Sequence, residues 1–172
     1  MLAVLIVFAI TRGNVSIAIA GRGEPSLRPP SRINKAPLDF RLLDLRTDST
    51  VMAHSFAGKA VLLNFRETGC QPCRTELPTL NRLYQRTRDT SIMFAIISSQ
   101  EPEIAGNDSI LRQSSLPFYH LGSPIPDVFR ADILPRTYIL NPRGEIVVEA
   151  IGAENWDAES VVKYLDSLKR VR

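Results

Sequence analysis

Hydrophobic and polar positions along this chain change rhythm several times, and each change predicts an element. Residues 38–45 (LDFRLLDL) alternate well enough for a strand with Phe40, Leu42 and Leu45 facing inward. A polar turn at 46–49 and a short return at 50–53 predict a hairpin. Gly58 and Lys59 turn the chain into a continuous apolar run at 60–65 (AVLLNF), as a strand buried on both faces requires. From Cys73 the spacing is helical, with Leu77, Leu80, Leu83 and Tyr84 on one face and a kink expected at Pro78. Residues 91–98 (SIMFAIIS) give a second buried strand. Strand, helix and strand in that order predict parallel pairing through a right-handed crossover. A weaker helix at 102–115, a short strand at 118–121 and a helical turn at 125–131 follow. Residues 134–140 and 145–151, split by Asn141-Pro142-Arg143-Gly144, read as an antiparallel hairpin. Residues 156–171 place Val161, Tyr164, Leu165 and Leu168 on one face of a terminal helix, capped by Asn155 or Asp157. The order is hairpin, βα, βα, ββα. It predicts an α/β fold: a mixed sheet flanked by helices on both faces, with an N-terminal β-hairpin extension.

The first 36 residues break this pattern. Residues 2–10 (LAVLIVFAI) and 15–20 are apolar, but Arg12 lies between them and neither run reaches the ~20 residues that span a bilayer. The segment ends Ala18-Ile19-Ala20-Gly21, an A-x-A-like cleavage pattern, so residues 1–20 are expected to be a signal peptide or a membrane anchor. No basic residue precedes the first apolar run. Residues 21–36 are rich in Pro, Arg and Ser and read as a flexible linker, leaving 37–172 as one domain. Of the 172 residues 44% are hydrophobic, enough for a core of that size. A net charge of +3, with scattered arginines and no aromatic–basic interleaving, argues against a nucleic-acid partner. Arg82, Arg86 and Arg88 read as a solvated helix face.

The candidate chemistry lies between the apolar strand and the first helix. Cys70-Gln71-Pro72-Cys73 holds the only two cysteines of the chain. A helix N-terminus offers free N–H donors and a partial positive charge, which favour thiolate over thiol. Only the thiolate attacks a disulfide sulfur, and a second sulfur two residues away can resolve the mixed disulfide. Half a zinc site is the competing reading, but only His54 and His120 remain as soft ligands and they share no motif. A static disulfide would close too small a loop to constrain the unfolded chain much. Glu76 falls one turn beyond Cys73 on the same helix face. There it can hold the proton that moves when Cys73 attacks, or it can simply complement the helix dipole.

These residues resemble the thioredoxin superfamily, and within it the TlpA/ResA-like extracytoplasmic thiol–disulfide oxidoreductases. The resemblance covers about residues 37–168 and rests on GKAVLLNF at 58–65, CQPCRTELP at 70–78, LPRT at 134–137 and the NPRG turn at 141–144. It implies that Cys70 is the exposed nucleophile, Cys73 the resolving thiol and Glu76 a proton-holding partner. It also implies a cis peptide before Pro135, in a loop (Leu134, Pro135, Arg136) that lies against the cysteines and holds a substrate strand. Two tryptophans usual in the family are absent: Arg66 and Gly69 stand in their places, and an apolar wall beside the nucleophile is missing. The implied function is an exported protein disulfide oxidoreductase acting as a reductant, with no cofactor beyond its redox-active disulfide and no metal. Its implied partners are disulfide-bearing extracytoplasmic proteins, apocytochrome cysteines among them, and a membrane dithiol that resupplies electrons. A monomer in the periplasm or on the outer face of the cell membrane, anchored or free, is expected. Two alternatives stay open. One is a non-catalytic thioredoxin-like binding module. The other is a thiol peroxidase, although Glu67 and Leu63 occupy the positions where that chemistry wants Thr and Pro.

Overall fold

The computed structural model describes residue 27 and residues 35–87, 92–106, 109–130 and 132–169. The expected leader, and the linker apart from Leu27, Lys35 and Ala36, lie outside the described residues. Among the described residues, seven strands build one sheet: β1 (Arg41–Asp44), β2 (Thr50–Met52), β3 (Ala60–Arg66), β4 (Ile92–Ser98), β5 (Phe118–Leu121), β6 (Arg136–Leu140) and β7 (Ile146–Ile151). Their spatial order is β2-β1-β5-β4-β3-β6-β7. β3 pairs parallel with β4, and β4 with β5, while β6 and β7 run antiparallel. The N-terminal hairpin joins the far edge through β1 and β5.

The apolar run at 60–65 is continuous because β3 is covered on both faces. Ala60 and Leu62 meet Leu77, Leu80 and Leu83 of α1 (Gln71–Thr87) and Val161, Leu165 and Leu168 of α4 (Glu159–Leu168). Val61, Leu63 and Phe65 meet Phe40, Phe56, Phe129 and Tyr138. The helical cover therefore differs between faces. One carries α1 and α4; the other is covered by the short 3-10 helices Ala53–Phe56 and Asp127–Phe129. Phe65, Phe129 and Tyr138 form an aromatic cluster with ring centroids 5.1–6.0 Å apart. Such pairs contribute about 0.5–1.5 kcal/mol each beyond simple burial.

Several boundaries shift from the sequence expectation for identifiable reasons. The folded unit begins at Lys35, which bridges Glu145, and Ala36 N–H donates to Gly144 O at 2.7 Å. α1 begins at Gln71 rather than Cys73, because Cys70 itself occupies the cap. The weak helix expected over 102–115 is two short ones, α2 (Pro102–Gly106) and α3 (Ser109–Gln113). α4 has Ala158 at its N-cap with no side-chain cap. Asp157 is engaged elsewhere, paired with Arg82 of α1, while Arg86 donates to Asp157 O at 2.8 Å and pairs with Glu159 at 2.6 Å. Arg82 and Arg86 are thus not merely solvated; they tie α1 to the start of α4. At the NPRG turn, Gly144 adopts φ 77°, a left-handed conformation that favours glycine, and its N–H closes the turn onto Asn141 O at 2.8 Å.

Candidate active site

β3 ends at the same end of the sheet where β6 begins, since Phe65 pairs with Arg136 and Asn64 with Thr137. The turn leaving β3 delivers Cys70, whose N–H donates to Glu67 O at 3.2 Å. Cys70 O accepts the first helical bond, from Arg74 N–H, and Cys70 Sγ accepts from Cys73 N–H at 3.2 Å. The sulfur therefore stands where a capping side chain would, receiving an N–H that the helix cannot satisfy internally. Cys70 and Cys73 are joined as a disulfide. Cys70 is half-buried and Cys73 is fully buried, so the first sulfur is the one a partner can reach.

Glu76 lies one turn beyond Cys73 and is only 1% exposed, so it is not a surface complement to the helix dipole. Three donors converge on its carboxyl. Asn64 Nδ2 reaches Oε1 at 2.7 Å, Trp156 Nε1 reaches Oε2 at 2.8 Å, and Glu154 N–H reaches Oε2 at 3.4 Å. Asn64 Nδ2 also donates to Thr137 Oγ1 at 2.8 Å, which links the carboxyl to β6. Burial pushes the Glu76 pKa up to about 7; the bonds from Trp156, Asn64 and Glu154 N–H pull against it, and the Glu154 charge adds to the rise. A group of this kind can gain and lose a proton at neutral pH.

Leu134–Pro135 is a cis peptide, and Pro135 O accepts from Gly152 N–H at 2.8 Å. Arg136 lies inside the sheet, paired with both β3 and β7, and its side chain is held by Glu149 at 2.6 Å and lies over Tyr138. Of the loop residues, Leu134 stands outside the ladder and borders an open cavity of about 490 Å³, lined also by Phe65, Glu67, Ile97, Leu121 and Phe129. Ile133, just before it, is 54% exposed. Arg66 is buried, its guanidinium 6.0 Å from the Phe118 ring centre, while a Cβ on Gly69 would meet nothing within 4 Å. Asn64, Thr137 and Trp156 were not singled out by sequence reasoning. A polar residue in the middle of the otherwise apolar β3 run was the one local signal, and it pointed to Asn64 alone.

Residues 33–149 match the model of the AhpC/TSA family. The chain belongs to that family. Among curated relatives, the thiol-disulfide oxidoreductase ResA of Oceanobacillus iheyensis is 29% identical over 132 residues, covering 73% of this chain and 68% of that one. ResA of Halalkalibacterium halodurans is 30% identical over 122 residues, covering 70% and 69%. The fold is similar to the thioredoxin domain of a thiol-disulfide oxidoreductase from Bacteroides vulgatus, with TM-score 0.62, 19% identity and 81% and 100% of the two chains covered. It is also similar to StoA from Bacillus subtilis, with TM-score 0.60, 17% identity and 80% and 100% covered. This AhpC/TSA-family chain is a thioredoxin-like thiol–disulfide oxidoreductase of the ResA type, with Cys70 and Cys73 as its CxxC pair. No described helix is long and apolar enough to cross a membrane, and among the described residues no cluster of His, Cys, Asp and Glu could hold a metal ion.

Proposed function

We propose that this protein is an exported reductant of disulfides in extracytoplasmic proteins. The Cys70 thiolate attacks one sulfur of a target disulfide; the other target sulfur leaves as a thiolate and takes a proton. Cys73 gives its proton to the Glu76 carboxylate and attacks Cys70 Sγ. The first target sulfur then leaves with the bonding pair and is protonated in turn. Two electrons pass to the target and the Cys70–Cys73 disulfide forms. A dithiol donor, a membrane protein in this reading, restores the reduced state. The loop at Leu134 and Pro135 receives the target strand, and the protein works outside the cytoplasm, free or anchored.

The observation that carries this reading is a buried carboxyl one helical turn from the buried second cysteine, with a pKa near neutrality. A proton acceptor there serves the step in which Cys73 is deprotonated in place. The likeness to ResA proteins and the A-x-A pattern at 18–20 support export. The test is Cys73→Ser expressed with its leader. Mixed disulfides through Cys70 should accumulate with envelope proteins and vanish in Cys70→Ser. No adducts, in cells where the wild type cycles between oxidised and reduced forms, would refute protein substrates.

A further inference from the structure

The segment between β3 and α1, residues 67–70 (ETGC), carries no large apolar side chain, so something other than apolar packing must hold it. Gly69 has no side chain and open space around its Cβ position, so no packing anchors the residue before the nucleophile. The hold is polar instead. Thr68 N–H donates to Gln100 Oε1 at 2.6 Å. Gln100 is itself fixed on both sides: its N–H donates to Ser98 Oγ at 3.2 Å, and its carbonyl accepts from His120 Nδ1 on β5 at 2.7 Å. Next to it, Ser99 Oγ donates to Glu67 Oε1 at 3.2 Å. Glu67 O gathers both the Cys70 N–H at 3.2 Å and Arg66 Nη2 at 3.3 Å. One run of hydrogen bonds thus leads from β5, through the end of β4, to the backbone that carries Cys70.

We propose that Gln100 is a positioning residue for Cys70: its side-chain oxygen pins Thr68 N–H and thereby fixes the loop that aims the Cys70 sulfur at the N–H of Cys73. The inference rests on the reading that Cys70 is the attacking thiol. A helix-terminal N–H stabilises a thiolate only while the sulfur stays in line with it, and hydrogen bonds weaken steeply with misalignment. With glycine at 69 the chain has wide conformational freedom beside the sulfur. The bond at Thr68 is the nearest fixed point on the β3 side of that freedom, apart from the Cys70 N–H itself. The titratable and charged groups around the loop are Arg66 at the end of β3, Glu67 within the loop, Arg74 and Glu76 on α1, His120 on β5, and Arg130 and Asp132, which line the same cavity as Glu67.

The experiment uses the reduced full-length protein and two variants, Gln100→Leu and Gln100→Glu. Thiolate formation is followed by absorbance near 240 nm against pH, and Cys70 alkylation by iodoacetamide at pH 7. Gln100→Leu should move thiolate formation to higher pH and slow alkylation roughly three- to ten-fold, the weight of one hydrogen bond. Gln100→Glu keeps an oxygen acceptor at the same reach but adds a negative charge that itself opposes the thiolate; it should restore the protection of the Thr68 amide from hydrogen exchange that Gln100→Leu loses, and unrestored exchange would count against the clamp. A merely structural role would lower thermal stability but leave the Cys70 pH profile in place, so superimposable profiles for wild type and Gln100→Leu overturn the proposal. If the leucine variant does not fold, hydrogen exchange of the Thr68 amide in the wild type decides. Slow exchange supports the clamp, and exchange as fast as that of exposed Gly69 overturns it. Should the wild type fail to reduce insulin while Gln100→Leu still shifts the profile, the proposed function falls and the positioning role stands.

Discussion

Glu76 is where burial and hydrogen bonding oppose each other most sharply. Its three donors favour the carboxylate, yet burial wins and its pKa rises from 4.5 to about 7. The folded state then binds a proton that the unfolded state has released. Stability from this group is greatest below pH 4.5, falls as pH rises from 4.5 to 7, and stays lowered above that. The displacement corresponds to about 3 kcal/mol across the window. Glu76→Gln cannot titrate. Urea denaturation of the oxidised protein at pH 5, 6, 7 and 8 should show the wild type losing stability relative to Glu76→Gln, with the difference growing up to pH 7 and flat beyond. Parallel curves would contradict the buried-acid account. The partners of Glu76 were not legible in the sequence because they come from 12 and 80 residues away. Hydrophobic periodicity reports the neighbours of a residue within its own element and is silent on a tryptophan brought in by the final loop.

At the scale of elements, α1 does two jobs and its sequence shows both. Its apolar stripe of Leu77, Leu80 and Leu83 was readable from 3.6-residue spacing, and the buried residues of the helix follow it. Its first turn carries the chemistry because the N-terminal N–H groups have no helical acceptor. Pro78 lies inside the helix and lacks an N–H to give Arg74 O. Pro78→Ala is expected to stabilise the protein by about 1–3 kcal/mol in chemical denaturation; a destabilised variant would mean that a proline-imposed bend is needed for packing. The turn before α1 offers a second test. Open space at the Gly69 Cβ predicts that Gly69→Trp folds with a thermal midpoint within about 2 °C of wild type. The ring would also wall the half-buried Cys70, slowing its alkylation several-fold. A large loss of stability would show that the space is not free. The cap of α4 was misjudged for a reason at this scale: Asp157 has the right chemistry for a cap, but Arg82 on α1 takes its carboxylate. Sequence shows capping residues and does not show the cation that competes for them.

For the molecule as a whole, the order of elements was legible because β3 and β4 are apolar without alternation, which marks central strands covered on both faces. The candidate site was legible only in part. Cys70 and Cys73 stand out by type and spacing, and Pro135 by likeness to a family. Arg136 looked equivalent to its neighbours in the sequence, yet it is locked between β3 and β7 by pairing on both sides. Export, as proposed above, predicts that fractionation of cells carrying the full chain places the protein outside the cytoplasm. The proposed mechanism requires that the sulfur at the cap of α1 be the reactive one. Mapping by mass spectrometry after limiting iodoacetamide at pH 7, on the fully reduced protein, tests it directly. The label should fall on Cys70, with thiolate formation below the about 8.5 of a free cysteine. Labelling of Cys73 first, or a Cys70 thiol that ionises no more readily than free cysteine, would contradict it.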